Sequence, residues 1–207
     1  MIEYIKNDIR EIFKNDSGGH DYWHSIRVYK NALKILEKEG GQRNLVSIAA
    51  LLHDVDDKKL FCTEDYYNAR TIMNKYKIEQ NVQESVIDII SNVSFRDNKN
   101  IIPKTIEGMI VQDADRLDAL GAIGIARTFA YGGSRGTVIY DPEIKPKNLY
   151  DAEDYLEGSG TSVNHFFEKL FLLKELMNTD TAKVIAENRV LFMHEYLKEF
   201  FSEWEGI

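Results

Sequence analysis

The chain has 207 residues, 43% hydrophobic and 29% charged, with 26 basic and 34 acidic side chains and a formal charge of −8. Such a composition suits one globular domain able to bury a core without disulfides or a structural metal. It argues against broad duplex nucleic-acid binding, which needs clustered cations to replace counterions, but not against anionic small molecules, because a bound divalent cation can dominate its own site. The lone cysteine, Cys62, rules out an internal disulfide and suits a reducing compartment. Nothing in the sequence shows the paired base or lowered pKa that a nucleophile needs, so it reads as a small buried hydrophobe. The charged N-terminus, Met1 to Asp8, does not look like a signal peptide. No apolar run reaches membrane-spanning length, so the expected location is the cytoplasm, with no membrane partner.

Helical spacing dominates the chain. Ile2, Ile5, Ile9, Ile12 and Phe13 line one face of a first helix, and Gly18-Gly19 breaks it. A second helix carries His24, Val28, Ala32, Ile35 and Leu36 and stops at Gly40-Gly41. The third runs from about Asn44 to His53. Asp56-Asp57-Lys58-Lys59 reads as a loop, and Thr63-Glu64-Asp65 as the opening of a fourth helix. Val82, Val86, Ile89, Ile90 and Val93 mark a fifth, followed by the turn formers Arg96 to Asn100 and Pro103. The stretch Thr105 to Tyr131 is rich in Gly and Ala and reads as a central buried helix ended by Gly132-Gly133. A Gly/Pro-punctuated loop to about Asn148 comes next. Amphipathic helices over Leu149–Met177, interrupted at Gly158-Ser159-Gly160, and Asp180–Trp204 complete the chain. The aromatic residues Phe192, Tyr196, Phe200, Phe201 and Trp204 read as core. The expected fold is all-α, a single helical domain over residues 1–207.

Against this background the polar motifs stand out. His53-Asp54 closes the apolar run Val46 to Leu52, His24 sits upstream in a second apolar helix, and Gln112-Asp113-Ala114-Asp115-Arg116-Leu117-Asp118 lies downstream. Each element has an ordinary explanation by itself: a partly buried histidine, or a solvated or helix-capping carboxylate. Together they sit beside apolar stretches where unpaired charge is costly. His24, His53, Asp54 and one of the downstream aspartates supply the mixed nitrogen and oxygen donors that a first-row divalent metal prefers. Adjacent helical residues point about 100° apart, so His53 and Asp54 can share an ion only where their helix ends, which Val55-Asp56-Asp57 suits.

The ordered pattern His, His-Asp, Asp resembles that of the HD-domain metal-dependent phosphohydrolases. His24-Ser25-Ile26-Arg27-Val28 is similar to the family's first motif and Leu51-Leu52-His53-Asp54-Val55 to its second. Asp113 to Ala122 resembles the third motif of small single-domain members of the YpgQ/YedJ type, as do Thr128 to Gly133 and Asn164 to Leu170. The resemblance implies an all-α HD-type bundle, with the metal-binding helices over about 20–131 and C-terminal helices over about 149–204 closing the site. It implies metal ligation by His24, His53, Asp54 and Asp115. Asp113 competes for the last place, but the family pattern puts the ligand before a basic residue and three before another acid, as at Asp115. Asp113 and Asp118 are then expected behind the ligands. No histidine lies between His53 and His165, whereas two-metal members of the superfamily carry additional ones there. One divalent ion (Mn²⁺, Mg²⁺, Fe²⁺, Ni²⁺ or Co²⁺) is expected.

The reaction so implied is hydrolysis of a (deoxy)nucleoside triphosphate to monophosphate and pyrophosphate. The alternatives are phosphomonoesterase or phosphodiesterase activity on another nucleotide, or a non-catalytic metal-dependent nucleotide sensor. Asp57 is the candidate proton acceptor or water-orienting group, and Lys58 the candidate catalytic cation. Arg27, Arg116, Arg135, His165 and Lys169 are candidate substrate contacts, with Tyr22 placed to stack on a base and Tyr131 to border the pocket. Trp23 is assigned to the core. The expected partner is a small nucleotide or other phosphorylated molecule.

Overall fold

A computed structural model describes residues 1–14, 21–57, 61–93, 101–147 and 160–207. Among the described residues the secondary structure is entirely helical, as the periodicity predicts. None of the described helices is long and apolar enough to cross a membrane. The chain forms two compact units, residues 1–115 and 116–207.

The first unit contains α1 (Ile2–Ile12), α2 (Tyr22–Glu39), α3 (Arg43–Leu52), α4 (Tyr67–Lys75), α5 (Gln80–Ser91) and, as far as Asp115, α6 (Ile106–Asp118). Helix α3 is apolar almost all round, and Val46 to Leu52 are all buried. It packs on α1, α2 and α5, so its last turn delivers side chains to the middle of the unit. Helix α2 ends at Gly40, where φ of +78° takes the chain into a region that side chains rarely adopt. The buried Gln112 of α6 donates its amide to the carbonyls of Asn92 (2.8 Å) and Ile101 (2.9 Å), stitching α6 to the segment after α5.

Two expectations for this half need correction. Helix α4 opens at Tyr67, after Tyr66 in a left-handed conformation (φ +54°), so Thr63-Glu64-Asp65 precede the helix rather than start it. Cys62 is exposed, not buried.

The second unit holds α7 (Gly121–Ser134), a π-helical turn at Phe166–Leu170, the single turn α8 (Phe171–Leu173), a 3₁₀ turn at Lys174–Leu176, and α9 (Asp180–Glu205). Phe166, Leu173, Ala186, Val190, Met193 and Leu197 are buried here. Thr179 caps α9 by accepting from the Ala182 amide.

Here too the structure departs from expectation. Thr105–Tyr131 is not one helix. It divides at Ala119-Leu120 into α6, buried on nearly every side, and α7, which exposes Ile123 and Tyr131. Gly121 makes the corner with φ of +73°, and a Cβ there would stand 3.1 Å from the Arg189 side chain. Gly132-Gly133 lie inside α7 rather than beyond it. Residues 160–177 are irregularly helical, and the Gly158-Ser159 break lies outside the described residues. None of the five aromatics of α9 is fully buried, and Phe192 and Trp204 are about half exposed. Tyr140 packs edge-on against Phe200, Phe201 and Trp204.

Candidate metal centre

The site is built from helix ends. Asp21 caps α2, its carboxylate accepting from the His24 amide at 2.8 Å. This cap sets the first turn of α2 and with it the root of the His24 side chain. His53 stands immediately after α3, and the chain then turns, with the Asp57 amide donating to the Asp54 carbonyl at 3.1 Å. His53 itself keeps helical angles (φ −60°, ψ −30°), so the two side chains leave the helix end in different directions and meet through their tips. Asp115 comes from the last turn of buried α6.

These four residues converge. His24 Nε2 lies 3.1 Å from His53 Nε2, 3.2 Å from Asp54 Oδ2 and 3.4 Å from Asp115 Oδ1. His53 Nε2 lies 3.4 Å from Asp54 Oδ2 and 3.7 Å from Asp115 Oδ1. Both imidazoles are almost wholly buried, while the Asp115 side chain keeps 28% of its surface exposed and forms the open side. His53 Nδ1 is 3.0 Å from the Ala50 carbonyl. With the proton on Nδ1 donated there, the Nε2 lone pair faces the cluster.

The donor set fits a divalent cation. Ligands about 2.1 Å from an octahedral ion stand about 3.0 Å apart along each edge, and about 3.4 Å apart around a tetrahedral one. The observed separations, 3.1–3.7 Å, fall near both. Two imidazoles and two carboxylates also match first-row metals by donor type. His24, His53 and Asp115 by themselves form a group that could hold a metal ion, and Asp54 adds a fourth donor. Electrostatics carry the same imprint. Burial alone would lower the His53 pKa, but the Asp54 and Asp115 carboxylates raise it well above the ordinary imidazole value. Burial alone would raise that of Asp115, yet hydrogen bonds from His24 and His53 hold it far below the carboxylate range.

Of the two competing aspartates, Asp115 brings an oxygen to the cluster. Asp113 is fully buried, about 200° away around the same helix. Asp118 pairs instead with Arg127 Nη1 at 2.8 Å. Arg116, expected at the substrate, is buried and donates Nη1 to the Leu176 carbonyl. Arg27 is half-buried on α2, one turn after His24. Tyr22 lies 4.5 Å beneath the Arg10 guanidinium, and Trp23, expected in the core, is 57% exposed. Tyr131 is exposed, with the Arg135 guanidinium 5.5 Å from its ring centroid. His165 and Lys169 share one helical segment, and burial with the Lys169 charge lowers the His165 pKa to about 4. Asp57 follows directly on the ligand turn, and Lys58 lies outside the described residues.

Sequence reasoning missed two residues that shape the site. Asp21 carries a legible signal, an acid three positions before the first histidine of an apolar helix. Asp56 does not. It is buried, and its two carboxylate oxygens accept from the Asn68 amide (3.0 Å) and the Ala69 amide (2.9 Å) at the start of α4.

An all-α fold with a buried His, His-Asp, Asp cluster defines a class of metal-site helical proteins, and the comparisons specify which. The HD domain model matches residues 22–120, spanning all four residues of the cluster. The chain is 36% identical over 214 aligned positions to YpgQ of Bacillus subtilis (strain 168), an uncharacterized protein, covering 100% of this chain and 95% of the relative. It resembles the crystal structure of an HD-superfamily hydrolase from Bacillus thuringiensis (42% identity, TM-score 0.79, 100% of this chain and 97% of the other). It also resembles Bacillus subtilis YpgQ in complex with ADP (35% identity, TM-score 0.81, 100% and 99%). The chain belongs to the HD-domain family.

Proposed function

We propose that the protein is a metal-dependent phosphohydrolase that cleaves (deoxy)nucleoside triphosphates to the monophosphate and pyrophosphate, with His24, His53, Asp54 and Asp115 holding one divalent ion. The observation that carries the metal reading is a pair of buried imidazole nitrogens 3.1 Å apart, each 3.2–3.7 Å from one Asp54 and one Asp115 carboxylate oxygen. The hydrolase reading is supported by the Bacillus thuringiensis relative, an HD-superfamily hydrolase, and the nucleotide reading by the YpgQ complex with ADP. Relatives that match the chain from end to end support one functional domain over residues 1–207.

A divalent ion in such a site acidifies a bound water and neutralises charge that develops on the phosphate. The chain's own residues do the rest. His53, its Nδ1 proton directed at the Ala50 carbonyl, keeps Nε2 available as a donor. Asp54 and Asp115 supply negative charge that offsets that of the cation. Asp115, the most exposed of the four side chains, marks the side from which water and a phosphate oxygen would approach. Asp57, next to the ligand turn, is assigned to orient or deprotonate the attacking water. Lys58 is assigned to the phosphate, and Tyr22, Arg27, Tyr131, Arg135, His165 and Lys169 to the remainder of the substrate.

The test is a panel of nucleotides offered with Mn²⁺ or Mg²⁺, with pyrophosphate and orthophosphate release measured separately. Pyrophosphate release from a triphosphate is the expected outcome. Orthophosphate alone would move the assignment to a phosphomonoesterase. Metal uptake with no turnover on any nucleotide would overturn the enzyme reading.

A further inference from the structure

The acidic residues Asp54, Asp56 and Asp57 lie within four positions of one another, and the sequence assigns a role to Asp54 and Asp57 but none to Asp56. The structure does. Asp54 directs Oδ2 at both histidines, at 3.2 and 3.4 Å. Asp56, two residues on, is buried and spends both oxygens on the Asn68 and Ala69 amides. Those amides belong to the first turn of α4, where every helix leaves donors without an internal partner. The residue before α4, Tyr66, makes no side-chain cap of its own. Asn68 completes the connection in the other direction, its side-chain amide donating to the Val55 carbonyl at 2.7 Å. Three hydrogen bonds thus hold the Val55-Asp56 segment against the start of α4, and Val55 is fully buried beneath it.

We propose that Asp56 is a positioning residue for the metal centre: by capping α4 from the ligand turn it holds Asp54 at its distance from the two histidines. The inference rests on the metal-site reading above. Its physical basis is that α3 ends at Leu52, so beyond His53 no helical hydrogen-bond ladder fixes Asp54. The short turn bonds and the Asp56–Asn68–Ala69 connection hold the segment that carries it. A carboxylate at the N-terminal end of a helix is also favoured by the helix dipole. Asp56 is therefore stabilised without any cation, and the duties of the neighbouring acids are divided.

The experiment measures Mn²⁺ affinity by titration calorimetry on the full-length protein, with far-UV circular dichroism and the melting temperature of the metal-free form as controls. Wild type is compared with Asp54→Ala, Asp56→Ala, Asp56→Asn and Asn68→Ala. Asn at position 56 keeps one acceptor oxygen, and Asn68→Ala keeps both backbone donors but loses the bond to Val55. The expected order of affinity is wild type, then Asn68→Ala and Asp56→Asn, then Asp56→Ala. Asp56→Ala should lie about ten- to a hundredfold below wild type, the usual range for groups that orient metal ligands. If Asp56→Ala does not fold, the two milder variants decide. Folded Asp56 and Asn68 variants with wild-type affinity, while Asp54→Ala loses binding, would overturn this inference alone. A wild-type protein that takes up no Mn²⁺ would overturn the metal reading and this inference with it.

Discussion

Two polar clusters, one in each unit, both place ionisable side chains beside apolar helices and do opposite things. In the first unit, His24, His53, Asp54 and Asp115 turn lone pairs toward one point. In the second, donors meet acceptors: Arg127 reaches the Asp118 carboxylate at 2.8 Å, Arg189 the Leu117 carbonyl and Arg116 the Leu176 carbonyl. The second arrangement pairs donors with acceptors inside the protein at the corner where α6 gives way to α7. The first becomes electrostatically balanced when a cation joins it. Burial and charge alone do not distinguish a site from a scaffold. The direction in which the polar atoms point does.

This contrast can be broken by mutation. The largest effect is expected from Asp54→Ala, which should reduce hydrolysis at least a hundredfold, on the scale of about 10²–10³ for losing a stabiliser of developing charge, and deplete bound metal measured by plasma mass spectrometry. Its metal-free melting temperature should change little. Asp118→Ala should do the reverse. Removing one partner of a buried pair costs about 3 kcal/mol or more, read as a lower melting temperature and denaturation midpoint. An Asp118→Ala protein that loses metal as completely as Asp54→Ala would erase the distinction between the clusters.

Metal should stabilise the first cluster directly. Mn²⁺ at about a hundred times its Kd should add about 2.7 kcal/mol to the folded state, measurable as a rise in melting temperature that a chelator reverses and that Asp54→Ala abolishes. Acid should act against this binding, because the proton that His53 retains above its ordinary range competes with the cation. A Kd for Mn²⁺ that does not weaken as pH falls would contradict ligation by His53.

A smaller effect belongs to His165 in the second unit. Its folded pKa of about 4 lies below the ordinary value of 6.5, so the unfolded chain takes up the proton first. Stability is then lost as pH falls through 6.5 and the loss is complete near 4. Between pH 7 and 5 the cost is about 2 kcal/mol. His165→Gln should flatten that part of the pH–stability curve. An unchanged slope would mean that His165 does not set it.

Much of the site was legible because its residues are costly where they stand. Histidines and aspartates bordering apolar runs demand a reason, and the order His24, His53-Asp54, Asp115 supplied one. The helices α1, α2, α3, α5 and α9 were equally legible, since their buried faces recur at helical spacing and Gly40 marks an end. The failures are of another kind. Trp23 was assigned to the core by its bulk, yet stands on the exposed face of α2. Residues 105–131 read as one helix because nothing local shows that Arg189 packs against Gly121.

Sequence alone thus determined the helical class of the protein and the chemistry of its polar motifs, because periodicity and residue type are local properties. Tertiary structure decided what depends on distance in space. It brought Asp115 rather than Asp113 to the histidines, through the rotation of α6 about its axis. It gave Arg127 to Asp118 and divided the labour between Asp54 and Asp56, because hydrogen bonds are chosen by direction and reach, and neither is written in the order of residues along a chain.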